Sequence, residues 1–169
     1  MPLTRWGATL GLRRVWAKLE GSNPTGSYKD RGMAVLASVA AASGATHLVE
    51  DSSGNAGAAA AAYAARGGMS CTVYAPASAP AAKLRQIRAY GAELVAVPGP
   101  RSAVADAARA AGSVAGAYHV SHNDNPLFVV GNQSIAFELA EAARAIGTDG
   151  RPWHVVMPVG GGALYMGAA

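Results

Sequence analysis

The hydrophobic pattern along the chain switches repeatedly between the two-residue period of a strand and the longer period of a helix. Residues 13–20 alternate apolar and polar side chains and predict a half-buried strand. Residues 29–44 predict a helix, rich in Ala, Leu and Met and stopped near Gly44. Shorter apolar runs at 46–50, 71–75, 93–97, 117–120 and 154–159 predict further strands. Between them, 58–66 predicts a helix ended by Gly67-Gly68, and 80–90 one stopped by Gly91. Residues 101–111 predict another, after the Pro98-Gly99-Pro100 turn. The last long helix, about 126–146, carries apolar residues at Ile135, Leu139 and Ala143, with Gly131-Asn132-Gln133-Ser134 as an interruption in its middle. Strands alternating with helices imply a parallel sheet with covered faces, so the fold class is α/β.

The alanine-rich helices are not low-complexity sequence, because strands and glycine stops recur on schedule between them. Alanine also lets a helix approach a sheet closely. The net charge is +4 and the pI near 9.5, yet the arginines are scattered. Only Lys83, Arg85 and Arg88 form a helical stripe, and no aromatic residues interleave with it. A solvated helix face accounts for it better than a nucleic-acid surface. No apolar run has the length of a bilayer span, and the first residues lack the pattern of a signal peptide. The single cysteine, Cys71, has no partner for an internal disulfide and sits in a strand pattern as a small buried hydrophobe. The expected location is cytoplasmic.

Three stretches carry candidate chemistry. In Asn23-Pro24-Thr25-Gly26-Ser27-Tyr28-Lys29-Asp30-Arg31-Gly32 a turn delivers one lysine to the start of a helix. There the positive end of the helix dipole and the neighbouring Arg31 disfavour the ammonium form, and a free amine is what attack on a carbonyl needs. Ser52-Ser53-Gly54-Asn55 precedes a second helix start, with backbone amides and two hydroxyls suited to an anion, and with the carboxamide of Asn55 beside them. An ordinary serine cap would explain the same tetrapeptide. Gly160-Gly161-Gly162, followed by Ala163 and Leu164, is able to form an amide nest for a phosphate; a flexible tail would have the same composition. The four histidines lack metal-ligand spacing. His119 and His122 flank one loop without evident partners, so no metal site is expected.

The lysine stretch resembles that of pyridoxal-phosphate enzymes of the tryptophan-synthase-β type (fold type II), most closely the version in threonine synthases. Ser-Ser-Gly-Asn and the triple glycine follow in that family's order and approximate spacing. The resemblance implies a three-layer parallel-sheet sandwich with its second domain incomplete. Residues 34–125 would be a smaller mobile domain, and 1–33 with 126–169 part of a larger cofactor domain. It implies pyridoxal 5'-phosphate as cofactor, carried by Lys29 as a Schiff base. Asn55 would face the ring oxygen, and Gly160, Gly161, Gly162, Ala163 and Leu164 would hold the phosphate. Ser52, Ser53, Gly54 and Asn55 would bind the carboxylate of a small amino-acid substrate.

The implied activity is that of threonine synthase, which turns O-phosphohomoserine and water into threonine and phosphate. Departures from the pattern keep other readings open. An arginine expected near Leu127 or Phe128, a lysine at Gln133 and a lysine within 76–80 are all missing, and a phosphate ester calls for such cations. The Gly-Gly-Gly-Ala-Leu loop also lacks an asparagine common in threonine synthases and leans toward dehydratases. The alternatives are a serine/threonine dehydratase or cysteine-synthase-like β-replacement enzyme, and a non-catalytic fragment. Family members are longer, so the chain is expected to be truncated, with unpaired strands near Trp16 and Val156. A homo-oligomer is the expected remedy, without nucleic-acid or membrane partners.

Overall fold

Four short strands, β1 (His47–Glu50), β2 (Ser70–Pro76), β3 (Glu93–Val97) and β4 (Ala117–His119), pair in parallel in the order β3-β2-β1-β4. The register sets Leu48 beside Cys71 on one side of β1 and beside Tyr118 on the other. The computed structural model describes residues 1–147 and 150–169, leaving aside the side chain of Lys83. Eight helices accompany the sheet among these residues. They are α1 (Thr4–Thr9), α2 (Lys29–Ala42), α3 (Asn55–Arg66), α4 (Ala81–Ala89), α5 (Arg101–Ala111), α6 (Pro126–Asn132), α7 (Ser134–Ile146) and α8 (Ala163–Ala168), with a 3-10 turn at Glu20–Ser22.

The chain leaves β1 and steps outward through α3 to β2 and through α4 to β3, then returns past β1 through α5 to β4. Right-handed crossovers in opposite directions put α3 and α4 on one face and α5 on the other. The packing agrees: α3 lies against α2 and α4, whereas α5 packs on all four strands. The main core joins Met33, Leu36, Leu48, Val73, Ile87 and Phe128, all fully buried. Alanine makes the layer thin, as Ala58 to Ala61 and Ala64 are all buried on α3. Gly57 takes this further: a Cβ there would lie 2.1 Å from the Ser52 carbonyl oxygen.

Helices α2 and α6 cross closely, with the Phe128 ring packed over Gly32. A Cβ on Gly32 would fall 2.4 Å from the Phe128 ring, and one on Gly131 would fall 2.4 Å from the Arg31 carbonyl oxygen. The predicted long helix is broken at Gln133, between α6 and α7, within the expected interruption. Its start is capped by Asn125, whose side chain accepts from the Leu127 amide at 3.1 Å, with Pro126 in the first turn.

Two predicted strands do not form. Residues 13–20 contribute one antiparallel bridge, Pro2 to Trp16, flanked by Leu3 N–H to Val15 O and Ala17 N–H to Met1 O at 2.8 Å. Residues 154–159 join no ladder, and Val156 is 96% exposed. Both have strand composition, but a strand exists only through pairing, and among the described residues neither finds a neighbour in the sheet. The short helices α1 and α8 were not expected from periodicity; six residues are too few to establish one. Arg85 and Arg88 are exposed on α4, as a solvated face requires; the side chain of Lys83 lies outside the described residues.

Candidate active site

A tight turn joins α2 to β1, so α2 runs antiparallel to the strand and its first residue, Lys29, returns to the carboxyl edge of the sheet. The turn ahead of Lys29 is tied down by Asp30. The carboxylate accepts from the Thr25 amide at 2.9 Å and from the Thr25 hydroxyl at 2.8 Å, and both residues are buried. Gly26 supplies the left-handed backbone, at φ +84°, that lets the chain double back. The Ser27 hydroxyl accepts from the Lys29 amide at 3.3 Å, and Gln86 donates to the Thr25 carbonyl at 2.9 Å. Lys29 is half-buried, its Nζ 5.0 Å from the Tyr28 ring centre and 5.1 Å from that of Phe128.

Arg31 is engaged away from Lys29. Its guanidinium is taken up by Glu20 at 2.7 and 2.8 Å and by Glu138 at 2.8 and 2.9 Å, with Ser134 at 2.9 Å. The hydrogen bonds it donates to Glu138 and then to Glu20 hold it protonated well above the usual arginine range. In return, Arg31 and Lys18 bring the Glu138 carboxyl down to about 2. Burial works against ionisation at Glu20, but hydrogen bonds from Arg31 and Asn23 outweigh it and leave that carboxyl below its ordinary value. Arg31 is therefore a clamp between the 3-10 turn, α2 and α7.

Strands β1 and β4 are parallel neighbours, so the loops that leave their carboxyl ends lie side by side at one edge of the sheet. The loop after β1 is Asp51 to Gly54, and the one after β4 is 120–125. Ser52, Ser53 and Gly54 are half-buried, with the Gly54 amide donating to Ser52 Oγ at 3.2 Å. Asn55 opens α3 and is exposed. The third predicted stretch lies nearby. A Cβ on Gly161 would sit 3.6 Å from Asn123 Oδ1, while Gly160 and Gly162 face open space. Gly162, at φ +85°, turns the chain into α8, and Asn132 donates to the Ala163 carbonyl at 3.2 Å; Leu164 is buried beneath. Packing of α2 on α3 and α6, and of α6 on α8, thus links all three stretches.

Several participants escaped the sequence reading. His122 is not partnerless: its Nδ1 lies 2.6 Å from Glu50 Oε1. His119 Nε2 lies 3.7 Å from Asp51 Oδ1, and Arg101 pairs with the other Asp51 oxygen. Burial raises the Asp51 carboxyl, but the nearby His119 and the hydrogen bond from Arg101 outweigh it, so it stays below its ordinary value. Donor atoms of Glu50, Asp51 and His122 lie within 4.8 Å of one another, with Glu50 Oε2 and Asp51 Oδ1 lacking a hydrogen-bond partner. Phe128 and Asn123 join the lysine and the glycine loop, respectively. Such pairings span long stretches of sequence and leave no local pattern.

The donor set fits pyridoxal phosphate. It offers a primary amine against an aromatic floor, an exposed carboxamide at Asn55, and glycine amides that no side chain crowds. Comparison with known proteins points the same way. A threonine synthase from Bacillus sp. (strain ULM1) is 38% identical over 144 residues, covering 83% of this chain and 40% of the relative. The crystal structure of a T.th. threonine deaminase superposes with a TM-score of 0.83 at 30% identity, covering 99% of this chain and 52% of that one. Maize serine racemase shares the fold, with a TM-score of 0.86 at 24% identity over all of this chain and 50% of the other. The chain thus spans about 40% of the length of the curated relative. The profile of the family described as "Pyridoxal-phosphate dependent enzyme" matches residues 1–169, and the chain belongs to that family.

Proposed function

We propose that this chain carries the lysine of a pyridoxal-phosphate-dependent carbon–oxygen lyase acting on a small amino acid, with threonine synthase as the activity. The observation that carries the reading is the placement of Lys29 at the start of α2, on the Phe128 ring, in a chain 38% identical to a threonine synthase. The cofactor, when bound, supplies an electron sink for a carbanion at the substrate α carbon. The protein's residues do the rest. Lys29 Nζ holds the cofactor and, once displaced, moves protons at the substrate carbons. Ser52, Ser53 and Gly54 offer amides and hydroxyls to the substrate carboxylate, with Asn55 at the cofactor ring oxygen. Gly160, Gly161, Gly162, Ala163 and Leu164 hold the phosphate.

In this reading residues 34–125, which contain the whole sheet, are the smaller mobile domain. Residues 1–33 and 126–169 belong to the larger one. The protein works in the cytoplasm as a homo-oligomer, a state supported by the exposed Val155, Val156 and Val159. Borohydride reduction of the loaded protein and peptide mapping should place the cofactor on Lys29; label on Lys18 or Lys83 would refute the assignment.

A serine/threonine dehydratase is the second reading, favoured by the absence of a cation at Gln133 and in 76–80, where a phosphate ester would need one. O-Phosphohomoserine, threonine, serine and O-acetylserine offered in parallel separate the two. Phosphate release supports the synthase; keto acid from threonine or serine without phosphate supports the dehydratase.

A further inference from the structure

Glu50 ends β1 with no exposure to solvent, where a carboxylate is costly unless another group holds it. His122, 72 residues further along, is the group that does so, at 2.6 Å. Burial pushes the Glu50 carboxyl up, the His122 hydrogen bond opposes that, and the charge of Asp51 adds to the rise. The second oxygen, Oε2, has no hydrogen-bond partner. On its other side the imidazole meets Phe128 edge to face, with ring centres 6.1 Å apart and planes at 70°. Phe128 in turn is wholly buried over Gly32 and lies 5.1 Å from Lys29 Nζ. An unbroken series of contacts therefore runs from the end of β1 to the lysine.

A buried acid–imidazole pair is a poor way to stabilise a fold, since apolar side chains of similar volume do as well or better. What it supplies instead is direction. A hydrogen bond fixes the rotation of the imidazole ring, which apolar contact alone leaves free. We propose that Glu50 and His122 are a positioning couple for Lys29: Glu50 orients the imidazole, the imidazole edge fixes Phe128, and Phe128 sets where the amine rests. The couple does not touch the reacting atoms. This inference rests on Lys29 being the cofactor lysine.

The test measures pyridoxal phosphate affinity of the purified protein, borohydride-fixed label on Lys29, and the visible circular-dichroism band of the bound cofactor, which reports its orientation. Far-ultraviolet circular dichroism checks folding. Glu50→Ala and His122→Gln are expected to lower affinity about tenfold and to alter the visible band. Glu50→Gln, whose carboxamide can hydrogen-bond His122 Nδ1 in either tautomer, is expected to stay near wild type. Folded Ala and Gln variants with wild-type affinity and band would overturn the proposal. So would a Glu50→Gln protein as weak as Glu50→Ala, because charge rather than position would then be at work. If Glu50→Ala does not fold, His122→Gln decides on the same readings; failure of both to fold would make the pair structural and overturn the proposal too. Lys29→Ala separates the levels. Borohydride-fixed label that persists in that variant would remove the cofactor-lysine reading itself, whereas loss of that label alongside unaffected couple variants would remove only the couple.

Discussion

Asp30 takes both hydrogen bonds that Thr25 has to offer, at 2.8 and 2.9 Å, and by doing so fixes the turn that delivers Lys29. The two residues close the segment 25–30 with an acid that is itself inside the first turn of α2. A carboxylate there also suits the helix dipole. Replacing Asp30 by Ala leaves a buried amide and hydroxyl unmatched, so unfolding in urea should show a loss of about 2–3 kcal/mol. Cofactor capture on Lys29 should weaken in the same variant.

The crossing of α2 and α6 gives a ranking of glycine variants. Gly131→Ala drives a methyl against the Arg31 backbone, and Gly32→Ala drives one against the Phe128 ring. The ring is able to shift, but the backbone is less free, so Gly131→Ala should cost more, with Gly32→Ala at about 1–3 kcal/mol. Gly44→Ala meets open space and carries only the strain of φ +82°, about 1 kcal/mol. Denaturant titration of the three should return that order.

Glu138 sets an acid limit. Its carboxyl lies at about 2 in the fold, below the ordinary value of 4.5, through hydrogen bonds from Arg31 and Lys18. A depressed carboxyl stabilises fully above its unfolded value and loses that contribution as pH falls through the folded one. Wild type should therefore exceed Glu138→Gln in stability at neutral pH, with the gap closing from about pH 4.5 toward about pH 2. The side chain is 43% exposed, so solvent screening keeps the gap below about 1 kcal/mol.

Cys71 should be inert in the native protein. It is buried on β2 and its thiol is pushed up to about 12, mainly by burial and further by Glu50. Thiol reagents at pH 8 should label it only as fast as the protein unfolds. Prompt labelling of folded protein would show that the β1–β2 layer opens locally.

The parts of the molecule that sequence made legible are those whose cause is local. Pro100 and Gly112 bracket α5, and the helix runs as its pattern predicts. The interruption expected near Gly131-Asn132-Gln133-Ser134 appears as the break at Gln133, and Lys29 begins its helix as its turn motif implies. The failures are of another kind. Residues 13–20 and 154–159 have strand composition but no ladder partner, and composition carries no information about partners. Glu50 with His122, and Arg31 with Glu138, are pairings across 72 and 107 residues that only the assembled sheet and helices bring about. His122 looked idle for the same reason that Arg31 looked influential: distance along the chain was standing in for distance in space.

The glycine crossing of α2 and α6 also separates two things that evolution would otherwise have to change together. Because Gly32 and Gly131 let these helices approach so closely, the height of the Lys29 main chain over Phe128 is set by the helix crossing itself. The loops after β1 and β4 belong to other elements and end on helices with caps or glycines of their own. Apart from His122, which reaches Phe128, their side chains can be exchanged while the main chain at Lys29 keeps its place. If the proposed reading holds, a scaffold divided in this way would accept new substrates by loop substitution, with the helix that carries Lys29 inherited intact.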